Sequence, residues 1–199
     1  ACPDVNFILL DVGLSDLEMA TGDENYVIPD NLFAATYASE QSGYLAGYAA
    51  VALGYRKLAF LGGMAIPAVT KYGYGFVQGA NDAAKALGCV DDIRLDYAYC
   101  EQFFPDDSVE AYVDNWFANG TEVVFACGGG IYASAAAAAA KAGGKFIGVD
   151  VDQAPAVDGE FGEGLTLTSA MKGLGATVTA QLNKIANGTF TGGTDTLGI

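Results

Sequence analysis

A regular alternation of short apolar runs with amphipathic or alanine-rich stretches constrains this chain more than any other feature. Apolar runs such as VNFILL (residues 5–10) are typical of strands buried on both faces of a parallel sheet. The pattern predicts strands near residues 5–10, 31–37, 58–61, 92–99, 121–127, 145–149 and 165–168, helices over 40–53, 67–87, 109–117, 133–142 and 175–186, and a loop over 16–30. This order predicts an α/β fold with mainly parallel sheets flanked by helices.

Charge and residue types exclude several classes of function. Lys and Arg total 9 while Asp and Glu total 24, which gives a net charge of −15. A chain this acidic repels nucleic acids and anionic membranes. Because the chain has no histidine, Ser-His-Asp catalysis, Cys-His catalysis and histidine-based metal sites are excluded. We therefore expect no metal, no cofactor and no nucleic-acid partner.

The cysteines give a weaker signal. Cys2, Cys89, Cys100 and Cys127 contain no C-x-x-C pair, which argues against zinc-knuckle and thioredoxin-type sites. One disulfide and four separate thiols are both compatible with this spacing. Cys2 lies where a processed lipoprotein would carry its lipid, but a predicted strand follows it without a flexible tether, so lipidation at this position is the less favoured interpretation.

The residues that follow the predicted strands are the candidate site, because ligands of open parallel sheets bind at the carboxyl ends of strands. These positions carry acids, glycine turns and aromatic rings: Asp11, Gly63 with Met64, Phe103 with Phe104, Gly128 to Gly130, and Asp150 with Asp152. Such groups hold a polar, ring-bearing small molecule. They contain no catalytic triad, so we expect a binding protein and not an enzyme.

The stretch ACGGGIYA (residues 126–133) offers an alternative. It fits the G-x-G-x-x-G/A fingerprint of dinucleotide-binding folds, it follows a predicted strand, and it opens a predicted helix. Asp150 ends the next strand about 20 residues further on, where a ribose-binding acid lies in those folds. An NAD-dependent oxidoreductase is therefore the rival function. The alternative interpretation of this stretch is a glycine turn between a strand and a helix, with no ligand role.

Two charged residues and two aromatic residues are candidates for direct ligand contact. The carboxylate of Asp150 has two acceptor oxygens, which suits the two hydroxyls of a sugar diol. Lys172 follows the last strand of the predicted sheet in a chain with few basic residues, and could donate to the ligand or brace Asp150. Phe103 and Tyr132 near strand ends are candidate stacking surfaces for a flat ring.

Taken together, several stretches resemble the basic membrane lipoprotein (BMP) family, which includes the purine nucleoside receptors of ABC importers. Each match is weak alone, and the order and spacing of all of them make the resemblance specific. The matching stretches are PDVNFILLD, ASEQSGYLAGYAA, KLAFLGGMAIPAVTKYGYGFVQGA, TEVVFACGGGIY, KFIGVDVDQ and LTSAMK.

The resemblance implies a type I periplasmic-binding-protein fold, in which two α/β lobes trap a ligand in the cleft between them. It implies an extracytoplasmic protein, lipid-anchored in its full-length form, that works with a membrane permease and an ATPase and performs no chemistry. The implied ligand is a small polar molecule, a purine nucleoside first. A ligand-sensing domain of a receptor or regulator is a further alternative, because the same fold serves that role.

The resemblance also distributes roles among the candidate residues. It places the ribose hydroxyls on Asp150, with Lys172 donating to the sugar or bracing the acid. It assigns a contact from the first lobe to Asp11 and the base to Phe103 or Tyr132. The resemblance implies that the ligand approaches the backbone closely at Gly63, Gly128 and Gly129. Met64, which follows the third strand, is the remaining candidate contact.

The family's opening segment has no counterpart here, so the first lobe is expected to be incomplete. We predict a partial first lobe over residues 1–56, a second lobe over 57–172, and a C-terminal helix and crossing segment over 173–199. A truncated first lobe would expose the edges of its strands at 5–11 and 31–37. Exposed strand edges pair with other chains or collapse, which predicts a homodimer or a first lobe with visible disorder.

Overall fold

A computed structural model describes residues 2–198 of the chain, and within them eight strands and seven α-helices alternate. The strands are β1 (Phe7–Leu10), β2 (Leu32–Tyr37), β3 (Lys57–Gly62), β4 (Arg94–Tyr99), β5 (Val123–Cys127), β6 (Lys145–Asp150), β7 (Thr166–Met171) and β8 (Gly193–Leu197). The helices are α1 (Leu14–Thr21), α2 (Ser39–Ala52), α3 (Pro67–Leu87), α4 (Asp107–Ala118), α5 (Tyr132–Ala142), α6 (Ala154–Phe161) and α7 (Leu174–Ala186). The predicted α/β class with parallel sheets is confirmed.

The larger of two compact units, Ser39–Lys172, contains a five-stranded sheet in the order β4-β3-β5-β6-β7. Every neighbouring pair in it is parallel. The five strands predicted between residues 57 and 172 are therefore confirmed as one parallel sheet. All five carboxyl ends lie along the same edge of the sheet, which is where a ligand site is expected.

Alternating residues along the strands feed two separate cores. Phe60, Phe125 and Ile147 face one side, where α2 and α3 cover them. Leu61 and Phe146 face the other side and pack with residues of α4, α5 and α6. A central strand such as β5 is buried along its whole length, which explains why it is a continuous apolar run and lacks the alternation of a half-exposed strand.

Helices α2 and α3 approach each other more closely than side chains would allow. A Cβ built on Gly47 of α2 would overlap the carbonyl of Phe76, and one built on Gly79 of α3 would overlap the carbonyl of Tyr44. The contact therefore depends on bare glycine backbone. It also ties α2 to the larger compact unit, which begins at Ser39, and the lobe boundary after residue 56 stays a prediction.

The smaller unit comprises the chain up to Ala38 and from Gly173 onward. Its sheet has the order β1-β2-β8, and both pairs are parallel. The sequence did not predict β8, whose five residues are mostly polar and exposed. Because β8 pairs with β2, the strand edge at residues 31–37 that was expected to be exposed is covered. The homodimer stays a prediction, with one of the two exposed edges that motivated it removed.

Two further helices differ from the predicted pattern. α1 occupies part of the segment predicted as a loop, and no residue of this helix is buried. α6 has eight residues and a Pro in its first turn, and was too short to leave a periodic signal. Between residues 2 and 198 no helix has the length and hydropathy that a membrane span requires.

Candidate ligand-binding site

The glycine turn after β5 is filled by a side chain of the same unit. Gly128 and Gly129 have φ angles of 149° and 51°, which L side chains rarely adopt. A Cβ on Gly128 would lie 2.9 Å from the Phe103 ring, and a Cβ on Gly63 would overlap that ring. The backbone approach that these glycines permit is thus, within this unit, the approach of Phe103 from the segment after β4.

The segment that carries Phe103 is held by several hydrogen bonds. The N–H of Gly130 donates to the Phe103 carbonyl at 2.7 Å. The side-chain amide of Gln102 donates to Asp106, and the hydroxyl of Ser134 in α5 accepts from the N–H of Asp106. Phe103 is therefore a fixed surface above the ends of β3 and β5.

Asp106 immediately precedes α4, and its carboxylate accepts three hydrogen bonds. The Gln102 amide, the Ser108 hydroxyl and the Val109 N–H all donate to it, at 2.9, 2.7 and 2.8 Å. These bonds, the one from Gln102 foremost, lower the pKa of Asp106 to about 2. Asp106 is the N-cap residue of α4.

A charged pair lies at the ends of β6 and β7. The Lys172 Nζ is 2.9 Å from Asp150 Oδ1, and the side chains are 4% and 39% exposed. The Lys172 N–H also donates to the Asp150 carbonyl at 3.0 Å. Asp150 Oδ1 is buried and accepts no well-directed hydrogen bond, so the accessible part of the carboxylate is its other oxygen, Oδ2.

The backbone at Asp150 adopts an uncommon conformation. Its φ is 68°, and the described chain has two other non-glycine residues with positive φ, Asp11 and Glu101, both at 59°. Asp tolerates this left-handed region better than most residues. All three are acids at or just after the carboxyl end of a strand, a position from which a side chain can point away from the sheet edge.

The loop after β6 is fixed by Gln153, a residue to which the sequence analysis gave no role. Its side-chain oxygen accepts from the Val149 N–H at 2.9 Å, and its own N–H donates to the hydroxyl of Ser169 at 3.1 Å. Asp152 is exposed and accepts from the Ala154 N–H at 3.1 Å. The DVDQ stretch therefore holds Asp150 at the end of β6 on a braced loop and leaves Asp152 exposed after it.

Apolar side chains surround these polar groups along the same edge. Exposed hydrophobic residues follow or end four of the five strands: Met64 and Ile66 after β3, Phe104 after β4, Val151 after β6 and Met171 at the end of β7. An edge that combines apolar side chains with a few fixed polar groups is typical of small-molecule sites. Phe104 is the most exposed of the five, at 60%.

The structure thus groups most of the predicted residues of the larger unit. Gly63, Phe103, Gly128 and Gly129 form one contact cluster, and Asp150 with Lys172 forms the second. Tyr132 instead packs at the start of α5 against the core under α4 and α5. Asp11 belongs to the smaller unit. The sequence did not predict the left-handed backbone of Glu101, because nothing in its local sequence indicates one.

The geometry limits the alternative chemistries. Two amides of the glycine turn are already used, because Gly130 donates to Phe103 and Ile131 donates to Gly128, whereas a pyrophosphate needs such groups free. Within residues 2–198 no three acids or thiols are grouped as metal ligands require. None of the four cysteines forms a disulfide within residues 2–198.

Comparison with known proteins places this arrangement in a family. The family model described as Bmp, ABC transporter substrate-binding protein PnrA-like, matches residues 2–199. The chain belongs to the Bmp family. Among curated relatives, the ABC transporter nucleoside-binding protein BmpA of Lactococcus lactis is 29% identical over 206 residues. Basic membrane protein B of Borreliella burgdorferi is 32% identical over 151 residues.

This chain spans about half the length of those relatives. The aligned region covers 96% of it and 53% of the Lactococcus protein, and 74% of it and 41% of the Borreliella protein. Solved solute-binding proteins of ABC transporters from Conexibacter woesei and Aeropyrum pernix share the fold, with TM-scores of 0.70 and 0.75. They are 24% and 19% identical and are covered over 58% and 52% of their chains. The type I periplasmic-binding-protein-like fold predicted from the sequence is confirmed.

Proposed function

We propose that this Bmp-family chain supplies part of the ligand site of an ABC importer's substrate-binding protein, and that the ligand is a purine nucleoside. The observation that carries the proposal is Asp150, an acid with a braced loop, a buried oxygen paired to Lys172 and an accessible Oδ2 at the sheet edge. Oδ2 has lone pairs for ribose hydroxyls. The name of the Lactococcus relative, a nucleoside-binding protein, supports the ligand class.

The position of Phe103 supports a ring next to that sugar. Phe103 covers the ends of β3 and β5, and Asp150 ends β6, which is the neighbour of β5. At a strand spacing of about 4.8 Å, the two groups are about one to two strand spacings apart, which suits a base linked to its ribose. Phe104 and Met64 would add apolar contact with the base.

The charges at this edge favour a neutral ligand. Lys172 is buried and its charge is already matched by Asp150, while Glu101 after β4 and Asp152 after β6 add exposed negative charge along the same edge of the sheet. A phosphate group would therefore be repelled. In this proposal Lys172 braces the acid, and the glycines admit Phe103 and so build the ring platform.

The proposal includes an extracytoplasmic location, a lipid anchor on the full-length protein, and a permease with an ATPase as partners. It assigns the chain no chemical step. A gene neighbourhood that encodes a permease and an ATPase would support the partners, and its absence would favour the ligand-sensing alternative.

The test is an NMR titration of this chain to millimolar ligand, which detects weak as well as tight binding. We expect adenosine or guanosine to bind. The 2′,3′-dideoxy analogues should bind at least about tenfold more weakly, because these analogues lack the hydroxyls that would donate hydrogen bonds to Asp150. The 5′-monophosphates should bind more weakly than the nucleosides. Equal binding of ribose and dideoxyribose forms would overturn the role of Asp150, and preferential binding of NAD would favour the oxidoreductase.

A further inference from the structure

The surroundings of Lys172 raise the question of how a lysine stays buried at the edge of a ligand site. Removing an ammonium group from water is costly unless other groups compensate it. Asp150 is one compensating group, but that carboxylate is partly exposed. A second compensating group lies on α3, where the aromatic ring of Tyr72 has its centroid 5.2 Å from the Lys172 Nζ.

Tyr72 is itself attached to the strand that ends at this lysine. Its hydroxyl donates to the carbonyl of Ala170 in β7 at 3.1 Å, two residues before Lys172. Its ring meets the ring of Phe125 edge to face, with centroids 5.9 Å apart. The side chain is 1% exposed. Tyr72 therefore has little freedom, and its ring face is fixed where the ammonium group lies.

We infer that Tyr72 is a positioning residue for the ligand site: its ring face and hydroxyl fix Lys172, and Lys172 in turn fixes the carboxylate of Asp150. A cation over an aromatic face is attracted by the electron density of the ring, and the attraction grows when water is excluded. Tyr72 touches no part of the proposed ligand contact itself. The inference rests on the proposed function for its purpose, but its contacts exist without a ligand.

The first experiment needs no ligand. Native protein is pulsed with an amine-acylating reagent, and modification of Lys172 is measured by peptide mass spectrometry against exposed Lys85 as an internal reference. We expect Tyr72→Leu to raise modification of Lys172 about tenfold, since the desolvated cation–π contact is lost. Tyr72→Phe keeps the ring face and should stay within about threefold of the parent.

Phe76→Leu is the matched control. Phe76 lies one helical turn after Tyr72, is equally buried, and contacts the same Phe125 ring, with centroids 5.3 Å apart. Its loss therefore loosens the same core without removing the ring under Lys172. If Phe76→Leu raises modification of Lys172 as much as Tyr72→Leu does, Tyr72 is only a core residue and the inference is wrong.

A fluorinated series covers the case in which Tyr72→Leu fails to fold. Phenylalanine, 4-fluorophenylalanine and 3,5-difluorophenylalanine placed at position 72 keep the ring volume nearly constant while withdrawing electron density from its face. We expect modification of Lys172 to rise stepwise with fluorine count. A flat series would overturn the inference, because it would show that the face of the ring does not act on the cation.

The second experiment links the contact to the site. The affinity ratio of a ribonucleoside over its 2′,3′-dideoxy analogue should fall by at least about threefold in the difluoro variant and remain unchanged in Phe76→Leu. An unchanged ratio in the difluoro variant would overturn the link between Tyr72 and Asp150. If the parent binds no nucleoside at all, the proposed function fails, and the acylation result still decides whether Tyr72 holds Lys172.

Discussion

The ends of β5 and β6 are neighbours in one sheet, but the first is packed and bonded within the chain and the second keeps part of an acid accessible. The β5 end is a run of glycines whose open space is occupied by Phe103, and the N–H groups of Gly130 and Ile131 there are bonded within the chain. The β6 end is a left-handed Asp150 that keeps one oxygen accessible and buries the other against Lys172. The glycine-rich sequence carries the more familiar binding motif, but it is the charged pair that leaves part of a carboxylate accessible.

This difference shows how a motif and a site can be separated. Glycines give a backbone room, and the surrounding structure determines what uses that room. An acid held in an uncommon backbone conformation carries a local cost, which persists when the surrounding structure imposes it. Substitutions at the β5 end should therefore lower stability, and substitutions at the β6 end should lower binding.

The largest expected effect is on stability at the glycine cluster. Gly63→Ala should lower the free energy of unfolding by about 3 kcal/mol, because the added methyl group overlaps the Phe103 ring and lies close to the Gln102 carbonyl. Gly159→Ala is the control, since Gly159 lies in α6 with open space around it, and should raise stability by up to about 1 kcal/mol. Urea unfolding measures both. A Gly63→Ala protein of normal stability that has lost ligand binding would reverse the assignment.

The next effect is on binding at the β6 end. Asp150→Asn keeps the size of the side chain and suits a left-handed backbone, but removes the charge. It should weaken nucleoside binding at least about tenfold. Its cost in stability should be about 1 kcal/mol, since Lys172 loses a partner that is partly exposed. Calorimetry and urea unfolding on the same sample separate the two quantities, and unchanged affinity would contradict the role of this acid.

A smaller effect depends on pH and concerns the segment that holds Phe103. The pKa of Asp106 is lowered to about 2 in the folded protein, below the usual value near 3.9. Its contribution to stability is therefore complete above about pH 4 and is lost as the pH falls through about 2. The melting temperature should fall less steeply between pH 4 and pH 2 in Asp106→Asn than in the parent.

Asp107→Asn provides the comparison for that measurement. Asp107 is the adjacent exposed acid, and the described structure gives its carboxylate no hydrogen bond or ion pair. Its removal should leave the slope of melting temperature against pH close to that of the parent. Equal slopes in all three proteins would show that the donors around Asp106 do not stabilise the folded state.

The smallest effect is expected at Asp152, which lies two residues from Asp150 and accepts one exposed hydrogen bond, from the Ala154 N–H. Asp152→Ala should lower the free energy of unfolding by about 1 kcal/mol or less, as for the loss of one exposed hydrogen bond. Nucleoside affinity should stay within about twofold of the parent. A loss of affinity as large as that of Asp150→Asn would mean that both acids contact the ligand, and the distinction within this loop would be wrong.

Much of this architecture could be predicted from residue patterns. Continuous apolar runs predicted the three central strands of the larger sheet, β3, β5 and β6, since strands covered on both faces need apolar residues at nearly every position. The position of Asp150 beyond such a run also predicted a polar group at the carboxyl edge. β8 and α1 were missed because polar, exposed elements leave no periodic apolar pattern.

The sequence by itself determined which residue types follow each strand, the absence of histidine chemistry, and the family resemblance that the comparisons confirmed. Only the tertiary structure decided that Phe103 fills the glycine turn, that Lys172 is buried against Tyr72, and that β8 covers β2. The physical reason is distance along the chain. Periodicity and strand ends are encoded by neighbours in sequence, whereas each of these contacts joins segments at least 25 residues apart, and their geometry depends on how the whole unit packs.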